Sequence, residues 1–288
     1  RQGRVHGGGG VGCEDMSRIS ERFAALKKAG RAAFVPFITA GDPDPETSFA
    51  IMEKLPAAGA DLIELGAPFS DPMADGPAVQ ASSLRALKSG ASMLKTLEMV
   101  RKFRKADQTT PVILMGYYNP IHHYGTAKFA RDAGAAGVDG LITVDLPPEE
   151  DEVLRVPANA HGIDIVRLLA PTTDDHRLKT VLTGASGFLY YVSVAGVTGT
   201  KSFDPAEVDA ALKRIHAASP LPCCVGFGIR TPEQAAQIAR IADGAVVGSA
   251  IVSRIAELSA NGAKAPELVK DVAGFCKSLA DSVHAARG

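Results

Sequence analysis

The 288-residue chain has no tryptophan, and only 6% of its residues are aromatic. It has no block of one charge either: 31 Lys and Arg face 32 Asp and Glu, leaving a formal net charge of −1. Without a basic field, nucleic acid and anionic membrane are not the expected partners. No apolar run is long enough to span a bilayer. Cysteine is scarce, with only Cys13, Cys223, Cys224 and Cys276, and no C-x-x-C pair marks a structural zinc site. Adjacent Cys223 and Cys224 sit in an apolar run, where a strand sends them to opposite faces and keeps them from bridging. Reduced thiols in the cytoplasm are therefore expected.

The first residues, "RQGRVHGGGGVGCED", lack the apolar centre of a secretory signal, and Gly7 to Gly10 favour a flexible tail. Met16 followed by "SRISERFAALKKAG" has the form of a natural start. Residues 1–15 are thus expected to be an extension or tag, and residues 16–288 one domain.

The chain does have ample apolar material, at 46% of residues. From Ser17 onward, helical patterns alternate with short apolar runs: "AFVPFITAG", "DLIELGAP", "PVILMGYY", "VDGLITVD", "IDIVRLLAP", "GFLYYVSV", "LPCCVGFG" and "GAVVGSAI". Such runs read as strands buried on both faces, hence a parallel sheet covered by helices. The intervening segments carry helix signals. In "FDPAEVDAALKRIH", Asp204 is placed as N-cap, Pro205 at the first helical position and Glu207 for a capping box, with Val208, Leu212 and Ile215 on one stripe. "TPEQAAQIARI" repeats the arrangement, and Pro56 and Pro157 are expected to end or kink their helices. About eight βα units in roughly 250–270 residues suit a TIM (β/α)8 barrel, here with an extra N-terminal helix. A doubly wound sheet competes, but no G-x-G-x-x-G follows an early strand.

Barrel active sites lie at the C-terminal ends of strands, which draws attention to "ELGAPFSDPMADGP". Glu64 ends an apolar strand, on the face opposite Ile63 and Leu65, and that face is either the barrel interior or the helix layer. A carboxylate costs several kcal/mol in either place unless it is protonated or hydrogen-bonded. The plain alternative is a structural glutamate bonded to loop backbone. Asp75 reads either as the N-cap of the helix in "GPAVQASSLRALKSG" or as the second member of an acid–base pair. Asp71, before Pro72, reads as a turn residue. Later, "SVAGVTGTKSF", "GFGI" and "VVGSAI" put glycines after the last three strands, where such barrels bind phosphate through backbone N–H groups and helix N-termini.

These strings together resemble the alpha chain family of tryptophan synthase. The resemblance runs from Ser17 to about Ala286 and is carried by "FVPFITAGDPD", "DLIELGAPFSDPMADGPAVQ", "MGYYNPI", "GVDGLITVDLPPEE", "YYVSVAGVTG" and "VGFGI". It implies cleavage of indole-3-glycerol phosphate to indole and glyceraldehyde 3-phosphate, with no metal and no cofactor in this chain. It also implies an α2β2 complex with a beta chain that carries pyridoxal phosphate. By residue-for-residue matching, Glu64 is the general acid–base and Asp75 holds the indole N–H, with Tyr190 beside the reacting centre. The same matching lines the indole pocket with Phe37, Met115, Ile142 and Phe227. It assigns phosphate to Gly199, Gly228, Gly248 and Ser249, and has Thr198 meet Asp75 when the site closes. Pro68 and Asp71 lie in the loop facing the beta chain.

Two features depart from the family pattern: His122 and His123, expected at the surface or interface, and Val194, where many members carry a polar or basic residue. Three alternatives are weighed beside the main reading. Another phosphosugar isomerase or epimerase would need a metal cluster, a Cys–Asp pair or a catalytic Lys, and no strand end shows one. A non-catalytic barrel that only activates a partner would have lost Glu64 or Asp75. A free-standing indole-producing lyase stays open at this stage.

Overall fold

The computed structural model describes residues 17–193, 204–226 and 228–287. All eight apolar runs form strands: β1 (Ala33–Thr39), β2 (Ile63–Gly66), β3 (Val112–Gly116), β4 (Gly140–Thr143), the pair β5 (Asp164–Ile165) and β6 (Arg167–Leu169), β7 (Leu189–Val192), β8 (Cys223–Gly226) and β9 (Gly244–Val247). Every pairing is parallel, in the order β5-β4-β3-β2-β1-β9-β8-β7-β6. The two end strands are separated only by Val166, whose N–H donates to Leu141 O at 3.0 Å. The sheet therefore closes on itself through one stretch of chain, giving the eight-stranded TIM barrel.

Period-two alternation sorts the strand residues into two layers. Ala33, Val35, Leu62, Ile113, Ile142, Val166, Cys224 and Val246 pack inside the barrel. Phe34, Ile38, Ile63, Leu65, Leu141, Cys223 and Val225 pack against the helices. The two adjacent cysteines thus face opposite ways, and both are buried and unpaired.

Helix α1 (Arg18–Lys28) starts at Ser17, whose side chain accepts the Ser20 N–H. Its Ile19, Phe23 and Leu26 join the interior layer, and the Phe23 ring lies 5.7 Å from that of Phe188. Burying three such side chains stabilises by about 1.5–3 kcal/mol each, so this helix plugs the N-terminal end of the barrel. Ion pairs fasten the same end. Asp139 accepts from Arg18 at 2.8 Å and Arg104 at 2.5 Å, and from the Val112 N–H at 2.7 Å.

The capping signals are realised. Asp204 accepts the Ala206 N–H ahead of α9 (Pro205–Ala218), and Thr231 accepts the Gln234 N–H ahead of α10 (Pro232–Ile241). Val208, Leu212 and Ile215 are buried as one stripe. Helix α2 (Pro45–Lys54) ends before Pro56, whereas α7 (Glu152–Ala160) includes Pro157 and continues past it. With one end plugged, the opposite end of the barrel is left to the strand C-termini and their loops.

Candidate active site

In β2, Ile63 and Leu65 belong to the helix-facing layer, so alternation turns Glu64 into the barrel interior. The residue is only 2% exposed, yet its carboxyl borders a cavity of about 330 Å3 shared with Phe37, Asp75, Met115 and Tyr190. Among the described residues nothing hydrogen-bonds this carboxyl, so no described loop backbone ties it down. Burial, and then the negative charge of Asp75, push its pKa up to about 8. At neutral pH it carries a proton.

Asp75 sits in the loop between β2 and α3 (Pro77–Lys88). The helix is capped by Gly76 without a side-chain bond, and Pro77 occupies its first position, so Asp75 is not spent as a cap. Its N–H donates to Pro72 O at 3.1 Å, and its carbonyl accepts Gln80 Nε2 at 2.9 Å. Burial raises its carboxyl to about 6, while the nearby Tyr117 hydroxyl pulls the other way. At pH 7 Asp75 is therefore mostly ionised. In the same loop, Asp71 is exposed and its carbonyl accepts the Met73 N–H at 2.9 Å, as a turn residue should. Pro68 is buried within this chain and offers a partner little surface, while Met73 is 80% exposed.

Two glycines make room for the aromatic walls. A Cβ on Gly226 would sit 2.4 Å from the Tyr190 hydroxyl oxygen, and one on Gly66 would sit 2.6 Å from Phe37 Cζ. Burial, with the nearby Glu64 charge, drives the Tyr190 pKa well above its ordinary value, so its hydroxyl stays protonated.

The same cavity is lined by Gly228, Gly248 and Ser249. Gly248 is the N-cap of α11 (Ser249–Ala260), which therefore directs its free N–H groups toward this end. Gly228 has φ +79°, a backbone conformation that side chains disfavour. Among the described residues no Lys or Arg lines the cavity.

Thr198, Gly199 and Phe227, as well as Val194 and Cys13, lie outside the described residues. Ile142 belongs one layer deeper, in the packed interior with Ile113 and Val166. Val144, two residues further along the same face, takes its place at the cavity wall with Leu168, Val192 and Val246. The available signal for these was strand alternation carried to the C-terminal end. His122 and His123 are exposed on α5 (Tyr118–Tyr124). A cavity of about 430 Å3 next to the site shares Val144, Leu168 and Thr173 with it. Its buried charges are matched within the protein, Asp151 bonding both Arg155 and Arg167.

The arrangement is a largely apolar cavity lined by a proton donor, an ionised carboxylate and a helix N-terminus. It suits a flat, weakly basic ring joined to a phosphate ester.

The comparisons agree with that chemistry. A family profile described as "Tryptophan synthase alpha chain" matches residues 23–284. The crystal structure of tryptophan synthase subunit alpha from Legionella pneumophila str. Paris is 41% identical, covering 93% of this chain and 98% of that one, with a TM-score of 0.86. A structure from Aquifex aeolicus VF5 is 35% identical over 93% of this chain and 99% of its own, with a TM-score of 0.82. The aminoacrylate-bound form of tryptophan synthase from M. tuberculosis is 34% identical over 93% of this chain and 100% of that chain, with a TM-score of 0.81.

Proposed function

We infer how the site works from one premise: the chain belongs to the tryptophan synthase alpha chain family, carbon–carbon lyases that cleave indole-3-glycerol phosphate to indole and glyceraldehyde 3-phosphate. In our reading the indole ring occupies the slot between Phe37, Met115, Val144 and Leu168, and the phosphate reaches Gly228, Gly248 and Ser249. Gly199, matched by sequence, completes the phosphate set.

Indole is a poor leaving carbanion. Protonated Glu64 first gives its proton to the ring carbon that bears the glycerol chain, producing a cationic indolenine. The Glu64 carboxylate then takes the proton of the adjacent glycerol hydroxyl. That C–O becomes a carbonyl, the carbon–carbon bond breaks, and its electron pair restores the indole ring. One proton is given and one recovered, so no cofactor is needed in this chain. Ionised Asp75 accepts the indole N–H and stabilises the positive charge that develops there. Tyr190, neutral and beside Glu64, packs against the reacting carbons. The observation that carries this reading is the pair itself: a buried Glu64, with no hydrogen bond among the described residues, sharing one cavity with Asp75.

The family implies a beta-chain partner. We assign its docking to the exposed part of the β2–α3 loop, with Asp71 and Met73 in contact and buried Pro68 shaping the loop from beneath, in an α2β2 complex. The beta chain would hold pyridoxal phosphate and consume the indole. Among the described residues no helix is long and apolar enough to cross a membrane. Buried, unpaired Cys223, Cys224 and Cys276 accord with a reducing, cytoplasmic setting. Neither a free-standing lyase nor another phosphosugar isomerase is favoured by the relatives.

The test is indole release from indole-3-glycerol phosphate by the purified chain with beta chain present. Wild type should be active, and Glu64→Gln should lose at least about a hundredfold in turnover, since general acid–base contributions run to 10²–10⁴-fold. A variant that kept a tenth of wild-type turnover would end the assignment.

A further inference from the structure

We propose that Arg230 is a guiding residue for the lyase reaction, its positive charge drawing the substrate's phosphate to the site through an outer cavity. The inference deepens the phosphate placement given above and rests on it.

A cavity of about 620 Å3 adjoins the catalytic one, and Gly76, Gly228 and Ser249 line both. Two of those three, Gly228 and Ser249, belong to the phosphate set, so the outer cavity meets the inner one where the phosphate is placed. Arg230 is exposed and lines the outer cavity. It stands two residues after Gly228, between β8 and α10, which is at most about 7 Å away by backbone reach. Its N–H donates to Gln234 Oε1 at 2.8 Å, which ties its backbone to the first turn of α10.

A phosphate ester carries close to two negative charges at neutral pH. Among the described residues the catalytic cavity offers it no Lys or Arg, and the same cavity contains Asp75, mostly ionised at pH 7. Backbone N–H groups must therefore hold the dianion against a like charge. In the outer cavity the described charged side chains are Arg230, Arg254 and Glu257. Arg254 is answered by Asp271 of α12 (Ala265–His284), through both Nε and Nη2. Glu257 is left as surplus negative charge, about two turns or roughly 12 Å along α11 from Ser249. Without Arg230 the entrance would be net negative and would turn the dianion away. With it, the sum is neutral and the positive charge lies on the Gly228 side.

The test measures kcat and KM for indole release, with beta chain saturating, at ionic strengths of about 0.01 M and about 1 M, where charges act over about 30 Å and about 3 Å. At low salt Arg230→Gln should lower kcat/KM roughly threefold to tenfold, with kcat within about twofold. At high salt the gap should close. Arg230→Lys should recover most of the loss, and Glu257→Gln should raise low-salt kcat/KM by about twofold or more. A purely structural role for Arg230 would give a loss indifferent to salt. Equal low-salt kcat/KM for wild type and Arg230→Gln, a gap that persists at high salt, a loss confined to kcat, or a Lys variant no better than Gln would each overturn the proposal. An active wild type beside an unaffected Arg230→Gln refutes the guiding role alone; a wild type that releases no indole refutes the substrate reading and this proposal with it.

Discussion

Glu64→Gln should make the protein more stable as pH rises while it destroys the activity. In the unfolded chain this carboxyl titrates near its ordinary value of 4.5; in the fold its pKa lies at about 8. Below pH 4.5 both states carry the proton, and folding loses nothing. Between pH 4.5 and 8 only the unfolded chain releases it, so wild-type stability falls by about 1.4 kcal/mol per pH unit. By pH 7 the accumulated cost is on the order of 3 kcal/mol. Gln fills the same space, keeps a polar head toward the cavity, and does not titrate. The variant should therefore match wild type near pH 5 and melt higher at pH 7 and above. A domain of this size gains roughly 2–4 °C per kcal/mol, so the expected gap at pH 7 is on the order of 6–12 °C. Calorimetric melting of both proteins at pH 5, 7 and 8 measures it. A gap that does not change with pH, or a variant less stable than wild type at pH 8, would refute the buried, protonated Glu64.

Gly226→Ala should lower kcat at least about tenfold with secondary structure intact, because the new Cβ would meet the Tyr190 hydroxyl at 2.4 Å and its ring carbons at 2.7 and 2.9 Å. Unchanged kcat would show that Tyr190 has freedom the packing denies it. For the partner, titrating purified beta chain into the lyase assay should raise turnover at least about tenfold, each ~1.4 kcal/mol of bias toward the active state being worth tenfold in population. Asp71→Ala should blunt that response without altering the basal rate, and an identical titration curve would move the docking surface elsewhere.

The strands and their order were legible because each is a short apolar run bounded by Gly, Asp or Pro, and a parallel barrel needs no more than that to be recognised. The opposite facing of Cys223 and Cys224 follows from period two alone. Alternation also placed Glu64 opposite Ile63 and Leu65, but it could not say which layer was the interior. That depends on closure, which runs through the one-residue break at Val166. Cavity depth was likewise out of reach. Whether Ile142 or Val144 reaches the wall depends on how the strands stagger around the barrel, not on local pattern. Sequence alone left Asp75 as either a helix cap or a catalytic carboxylate, and in the fold Gly76 and Pro77 occupy the cap and first helical positions. Pro68, in an exposed-looking stretch of Ser, Asp and Pro, is buried by the fold of its own loop.

The most direct measurement is the pH dependence of kcat/KM for indole release from indole-3-glycerol phosphate, read between pH 5 and 9 with beta chain saturating. A protonated Glu64 working with an ionised Asp75 requires a fall on both sides, an acid limb near 6 and a basic limb near 8. The basic limb decides the matter, because only there does the enzyme lose the proton it must donate. A rate that declines through pH 8, roughly tenfold for each further unit of pH, is the expected result. A rate that stays level or rises to pH 9 would mean that Glu64 is not the acid.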